Sequence, residues 1–329
     1  MASIVRYGVY LPRYRTSVKD IHAFFGRPGR PRARTLATPG LDEDALTMAF
    51  EAAEEALAGE RSPGAMISVT SSAPFGMRKM SATLGRALRL SPDTSTYDVG
   101  GHPGSLVDAL ELGGLLAAAN GAPSVVVASD HVVSYEERVA DTLSAGGASA
   151  FLVGDGEGFA RLGPIARHSN EVYDVWVLGR EPEPRYRLEV LNDAYLAAAA
   201  GAMAKLERLT ERSVGDYQAV AASQPHPQVL RGLGRAGVRG KQLEHTSFVG
   251  EIGNLGSASV GVALSLAFDT ARKGQQILLF GYGAGEGIAQ SVEIASATPK
   301  IGVAERIPGD EIGIGTYYRW TRGRQVEPH

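Results

Sequence analysis

Short apolar runs alternate along this chain with longer stretches rich in Ala, Gly and Leu, and the alternation occurs twice. That rhythm limits the fold. A continuous apolar run of four to eight residues suits a strand buried on both faces, and the longer segments between must be the helices that cover it. In the first half, residues 3–9, 66–70, 96–99, 124–128 and 148–153 are predicted as strands. Residues 41–57, 80–88 and a small-residue segment running to about Ala119 are predicted as helices. The 41–57 helix places Asp42, Glu43 and Asp44 at its dipole-positive start, with Leu46, Ala49, Phe50, Ala53 and Leu57 on one face. In the second half, residues 161–167, 219–223, 276–280 and 288–294 read as strands, and 194–209, 229–236 and 257–270 as helices. Strands alternating with helices predict an α/β architecture with covered sheets. The repeated order predicts a duplication, residues 1–163 and 164–329, with its boundary near Gly163-Pro164.

Composition narrows the function. The net charge is −3 and no block of like charge occurs, so neither nucleic acid nor an anionic membrane is expected as a partner. The basic segment from Arg27 to Arg34 is interrupted by Pro28, Gly29 and Pro31 and reads as a solvated loop, or else as a clamp for the phosphates of a nucleotide-like ligand. Residues 179–187, with Pro182 and Pro184 among charged neighbours, read as a surface loop. The apolar stretch 110–120 falls far short of the ~20 residues a membrane span needs and reads as a buried helix. The chain holds no cysteine, which excludes disulfides, cysteine-ligated zinc and a thiolate nucleophile. The first residues lack a charged segment followed by an apolar core, so no signal peptide is expected and a soluble, cytoplasmic protein is. No metal-ligand cluster is visible. Gly100-Gly101 and residues 281–287 lack phosphate-loop spacing and read as tight turns between packed halves.

Several segments, spread over nearly the whole chain, match one family in order and spacing. They are Gly8-Val9-Tyr10-Leu11-Pro12-Arg13-Tyr14-Arg15, Leu41-Asp42-Glu43-Asp44, Ser144-Ala145-Gly146-Gly147-Ala148, Gly253-Asn254-Leu255-Gly256-Ser257-Ala258-Ser259 and Tyr282-Gly283-Ala284-Gly285. The chain thereby resembles the archaeal-type 3-hydroxy-3-methylglutaryl-CoA synthases of the thiolase superfamily, which are related to ketoacyl synthase III. The resemblance implies a duplicated thiolase fold in five αβαβα layers, a homodimer, and a CoA thioester as substrate with no bound cofactor. It also implies a small zinc-ribbon and OB-fold partner protein that presents acyl-CoA. Such enzymes use a Cys at the start of the long central helix, a His in a His-Gln-Pro segment, and a Glu near the second strand. Here the Cys position falls at His102, or at Pro103 if the alignment slips by one; the other two segments read Ser223-Gln224-Pro225 and Ser71-Ser72-Ala73. Asn254 alone of the usual site pattern stands.

What chemistry remains follows from what is missing. A covalent acyl-enzyme needs an activated nucleophile beside a base, and Ser105 or Ser223 would need a partner histidine whose placement the sequence does not show. Aldol or retro-aldol chemistry needs only a base for the β-hydroxyl proton and donors for the enolate oxygen. His102 is the sharpest candidate base, against a role as filler of the vacated pocket. His226, after Pro225, is a second candidate, although an exposed loop position is the expectation for it. Tyr282 is a candidate acid or a packing residue, Asn254 a polar pocket residue, His131 a structural residue at a strand end, and His245 an outlying candidate. Two functions from different classes stay open: an enzyme that makes or breaks a carbon–carbon bond β to a CoA thioester, as a non-covalent lyase or aldolase or as an acyltransferase, and a non-catalytic scaffold or acyl-CoA-binding subunit of a thiolase or synthase complex.

Overall fold

The structure, a computed structural model, describes residues 1–28, 30–100, 102–131, 142–156, 158–177 and 184–322. Gly29 of the basic segment, Gly101 of the Gly100-Gly101 pair and residues 179–183 of the expected surface loop lie outside the described residues. The first half runs β1 (Ala2–Tyr10), β2 (Tyr14–Ser17), α1 (Val18–Phe24), β3 (Thr35–Thr38), α2 (Ala45–Leu57), β4 (Ala65–Val69), α3 (Met80–Ala87), β5 (Ser95–Val99), α4 (Leu106–Asn120), β6 (Ser124–His131) and β7 (Gly146–Asp155). The second runs β8 (Ala160–Ser169), β9 (Val175–Trp176), β10 (Arg185–Tyr186), α5 (Leu188–Thr210), β11 (Ala219–Ala222), α6 (Pro227–Gly232), α7 (Gly240–Leu243), α8 (Val249–Ile252), α9 (Ser259–Thr270), β12 (Gln276–Gly283), β13 (Glu286–Ile294), β14 (Asp310–Ile312) and α10 (Ile314–Arg322).

Nine strands form one mixed sheet in the order β11-β12-β13-β8-β1-β7-β6-β4-β5. It is two half-sheets joined narrowly, because β1 and β8 pair only through Ser3 with Arg161 and Ile4 with Ala160. Helices α2 and α3 cover the outer face of the first half-sheet and α5 that of the second. Helices α4 and α9 touch strands of both halves and lie between them, which makes the five αβαβα layers. Their composition explains the position. Apolar residues and Gly on nearly every face suit a helix packed on two sides, and all but the last two residues of α9 are buried. The strands beneath are continuous apolar runs for the same reason, as in β4, whose five residues are all buried.

Two differences from the sequence reading are instructive. Helix α2 starts at Ala45, and Asp44 stands before it as the N-cap, accepting from the Thr47 N–H at 2.8 Å while Thr47 Oγ1 accepts from the Asp44 N–H. Asp42 and Glu43 precede the helix; the acid run caps it instead of filling its first turn. The boundary drawn at 163/164 falls inside β8. The halves are also interlocked beyond the sheet, since β14 near the C-terminus pairs with β2 in a three-stranded sheet completed by β3.

Candidate functional site

A cleft of about 690 Å³ opens where loops from both halves converge, and His102, Asn254, Tyr282, Ser223, Ser72 and His131 all line it. His102 sits after β5 in extended backbone and caps the 3₁₀ turn Pro103–Ser105 that leads into α4. Its Nδ1 accepts the Gly104 N–H at 3.1 Å, and its Nε2 lies 2.9 Å from Glu286 Oε2. Because Nδ1 accepts, the ring proton sits on Nε2 and is donated to the carboxylate. The turn reaches this place only because glycine faces it. A Cβ on Gly283 would lie 2.3 Å from His102 Cβ, and one on Gly104 would lie 2.6 Å from the Tyr282 nitrogen. Glu286 is delivered by the two-residue turn Ala284-Gly285 between β12 and β13, both residues having positive φ as such hairpins require.

Asn254 has a fixed orientation. Its Oδ1 accepts from the Gly256 N–H at 2.9 Å and from Ser259 Oγ at 3.1 Å, so Nδ2 remains a donor with no partner among the described residues. The wall beside it is organised by Asp130, wholly buried at the end of β6. That carboxylate accepts from Thr70 Oγ1, Ser71 N, Ser71 Oγ, Ser72 Oγ and Ser257 N at 2.7–2.9 Å. It thereby ties the loop after β4 to the loop before α9. The segment expected at the place of a glutamate therefore presents hydroxyls whose protons point away from the cleft, toward Asp130.

Tyr282 donates its phenol to Asp174 Oδ2 at 2.5 Å. Burial, then that hydrogen bond, pushes its pKa far up, so it is a fixed donor that keeps its proton. Its backbone N–H donates to Ser223 Oγ at 3.0 Å, and no histidine hydrogen-bonds Ser223 among the described residues. Ser105 is buried and does not line the cleft.

His226 does not line the cleft, and the exposed-loop expectation for it is corrected: it is fully buried as the N-cap of α6. Its Nδ1 accepts the Gln228 N–H at 3.0 Å, while Arg32 Nη1 lies 2.8 Å from Nε2. Burial, with the Arg32 and Arg231 cations, lowers its pKa to about 4. His245 is exposed and outside the cleft. The sequence reading missed Glu286 and Asp174. Each meets its partner across more than a hundred residues, with no local signal for the pairing. Asp130 had a faint one, a Ser-Asp closing a buried strand.

Among the described residues, no group of three or more His, Cys, Asp or Glu is placed to hold a metal ion, and no helix is long and apolar enough to cross a membrane. No protein-family model matches the chain. It is 29% identical over 310 residues to the hydroxymethylglutaryl-CoA synthase of Methanocaldococcus jannaschii, covering 87% of each chain. It is 27% identical over 300 residues to that of Methanopyrus kandleri, covering 86% of this chain and 85% of the relative. Among solved structures, an HMG-CoA synthase complexed with CoA superposes with a TM-score of 0.87 at 17% identity, covering 97% of this chain and 89% of the other. MvaS in complex with 3-hydroxy-3-methylglutaryl coenzyme A gives 0.84 at 19% identity, covering 98% and 91%. The chain is thus similar along most of its length to hydroxymethylglutaryl-CoA synthases and has their thiolase-like fold.

Proposed function

We propose that the cleft binds a CoA thioester and that the protein makes or breaks the carbon–carbon bond β to it without an acyl-enzyme. One observation carries this reading: an imidazole oriented by a carboxylate and an amide donor with no partner among the described residues line the same cleft. In the cleavage direction, His102 Nδ1 takes the β-hydroxyl proton, giving up its bond to the Gly104 N–H. Glu286, across the ring, stabilises the positive charge that results. The Cα–Cβ bond breaks, its electron pair becomes the thioester enolate, and the new carbonyl compound leaves. Asn254 Nδ2 donates to the enolate oxygen. His102 then returns the proton to Cα, yielding the shorter acyl-CoA. The absence of cysteine fits a route with no covalent stage, and some steroid-degrading aldolases resemble thiolases in this way.

A second reading, an acyl-CoA-binding subunit without chemistry of its own, is favoured by one fact: both nitrogens of His102 are already engaged within the protein. Resemblance supports the setting in either case, a cytoplasmic homodimer of two thiolase-like halves with a zinc-ribbon and OB-fold partner that presents acyl-CoA. The test is to incubate the protein with β-hydroxyacyl-CoA substrates, with and without such a partner. The shorter acyl-CoA is followed by mass spectrometry, and the intact protein mass is read in parallel. Cleavage with an unchanged protein mass is expected. A stable acyl adduct on Ser223 would overturn the non-covalent route, and binding without turnover across the substrates would leave the binding subunit.

A further inference from the structure

We infer that the cleft selects acyl groups with a bulky or extended apolar body, well beyond acetyl or acetoacetyl. The inference rests on the reading of the cleft as a thioester site and concerns its apolar wall. Besides His102 and Asn254, the cleft is lined by Val175, Val177, Pro184, Tyr186 and Leu191. Four of them come from the β9–β10 ribbon and its flanking residues, and Leu191 from the first turn of α5. The ribbon is a separate two-stranded sheet, outside the nine-stranded one that carries the polar groups. A wall of this kind is an add-on to the scaffold, and what it presents to the cleft is almost wholly hydrocarbon.

The polar group at the ribbon's foot is consumed within the protein. Asp174 is 1% exposed; its Oδ2 accepts from the Tyr282 phenol at 2.5 Å and its Oδ1 from the Val175 N–H at 2.7 Å. Its carbonyl accepts from the Arg187 N–H at 2.8 Å on the other strand's side. The carboxylate thus fastens the ribbon to β12 and has both oxygens satisfied. The apolar wall runs from buried Pro184 and Leu191 to Val177, which is 53% exposed. A cleft of about 690 Å³ is many times the ~30 Å³ share of a single water. A two-carbon acyl group held at Asn254 would leave most of that hydrocarbon facing water. A longer or ring-bearing group would cover it, and apolar burial is the dominant favourable contribution to such binding.

Calorimetric titration of the full chain with S-ethyl-, S-butyl-, S-hexyl- and S-octyl-CoA thioethers tests this without depending on turnover. Kd is expected to fall about three- to fourfold for each added methylene until the wall is covered. Val177→Asp, at a half-exposed position of that wall, is expected to flatten the dependence on chain length across the series. Measurable binding with a Kd that is constant from ethyl to octyl would overturn the inference and leave the thioester site standing. Failure of CoA and of every thioether to bind would remove both together.

Discussion

Two histidines in this molecule share one local design and differ in what faces them. His102 and His226 both precede a proline, both have extended backbone, and both use Nδ1 to cap a short helical turn at residue i+2. At His102 the other nitrogen meets a carboxylate, so a neutral ring finds one donor and one acceptor and satisfies both. At His226 the other nitrogen meets the Arg32 guanidinium, a donor. A neutral imidazole has one lone-pair nitrogen, so it cannot accept from Gln228 and Arg32 together. A protonated ring would face two donors and no acceptor. The same cap therefore has an acceptor at its second nitrogen in one place and a second donor in the other. Only the one that faces an acceptor lines the cleft.

The largest expected effect that sharpens this comparison is on Glu286. Glu286→Gln keeps the shape but removes the charge that supports a protonated His102. Turnover of a β-hydroxyacyl-CoA is expected to fall about 10²-fold or more, with KM and the melting temperature nearly unchanged and with partial rescue by Glu286→Asp. Equal losses in kcat and in thermal stability would mean that the pair serves packing.

His226 gives a smaller effect of defined sign. Its folded pKa, about 4, lies below the ordinary 6.5, so the unfolded chain binds more protons between those values. Its contribution to stability is complete above pH 6.5, declines as the pH falls toward 4, and is gone below. The loss amounts to something on the order of 1–3 kcal/mol. Urea midpoints at pH 7 and pH 4.5 should therefore differ more in wild type than in His226→Asn, which can still cap α6 but does not titrate. Parallel shifts would sink the idea. Arg32→Ala should shrink the pH effect slightly, by under about 1 kcal/mol, because burial is the larger cause and the cation the lesser.

The sequence revealed the frame of the fold because its central strands are largely buried apolar runs, as in β4 and in residues 124–128 of β6. It did not reveal β2, β3, β9, β10 and β14, which are two to four residues long and too short for any periodicity. In the site, His102 and Asn254 stood out through the resemblance, at the vacated Cys position and in the retained Asn pattern, and Tyr282 through the Gly-rich turn that carries it. Their partners did not. Glu286 lies 184 residues from His102, and Asp174 lies 108 from Tyr282, so only the packing of the halves brings them together. His226 was misplaced for the converse reason. A His after a proline reads as loop, and nothing local shows that Arg32 closes over it.

The central claim is that His102 moves a proton for a substrate in the cleft, and His102→Ala tests it most directly. Removing the cap should cost about 0.5–2 kcal/mol of stability. Removing the base should slow β-hydroxyacyl-CoA cleavage ~10²–10⁴-fold, or roughly 3–5 kcal/mol of barrier. His226→Ala, measured beside it, should lower the melting temperature and leave the rate constant of the folded protein within a few-fold. Melting temperature and turnover of the three proteins, with an acyl group long enough to cover the apolar wall, settle the matter. Turnover lost in His102→Ala alone is the expected result, and full turnover in that variant would contradict it.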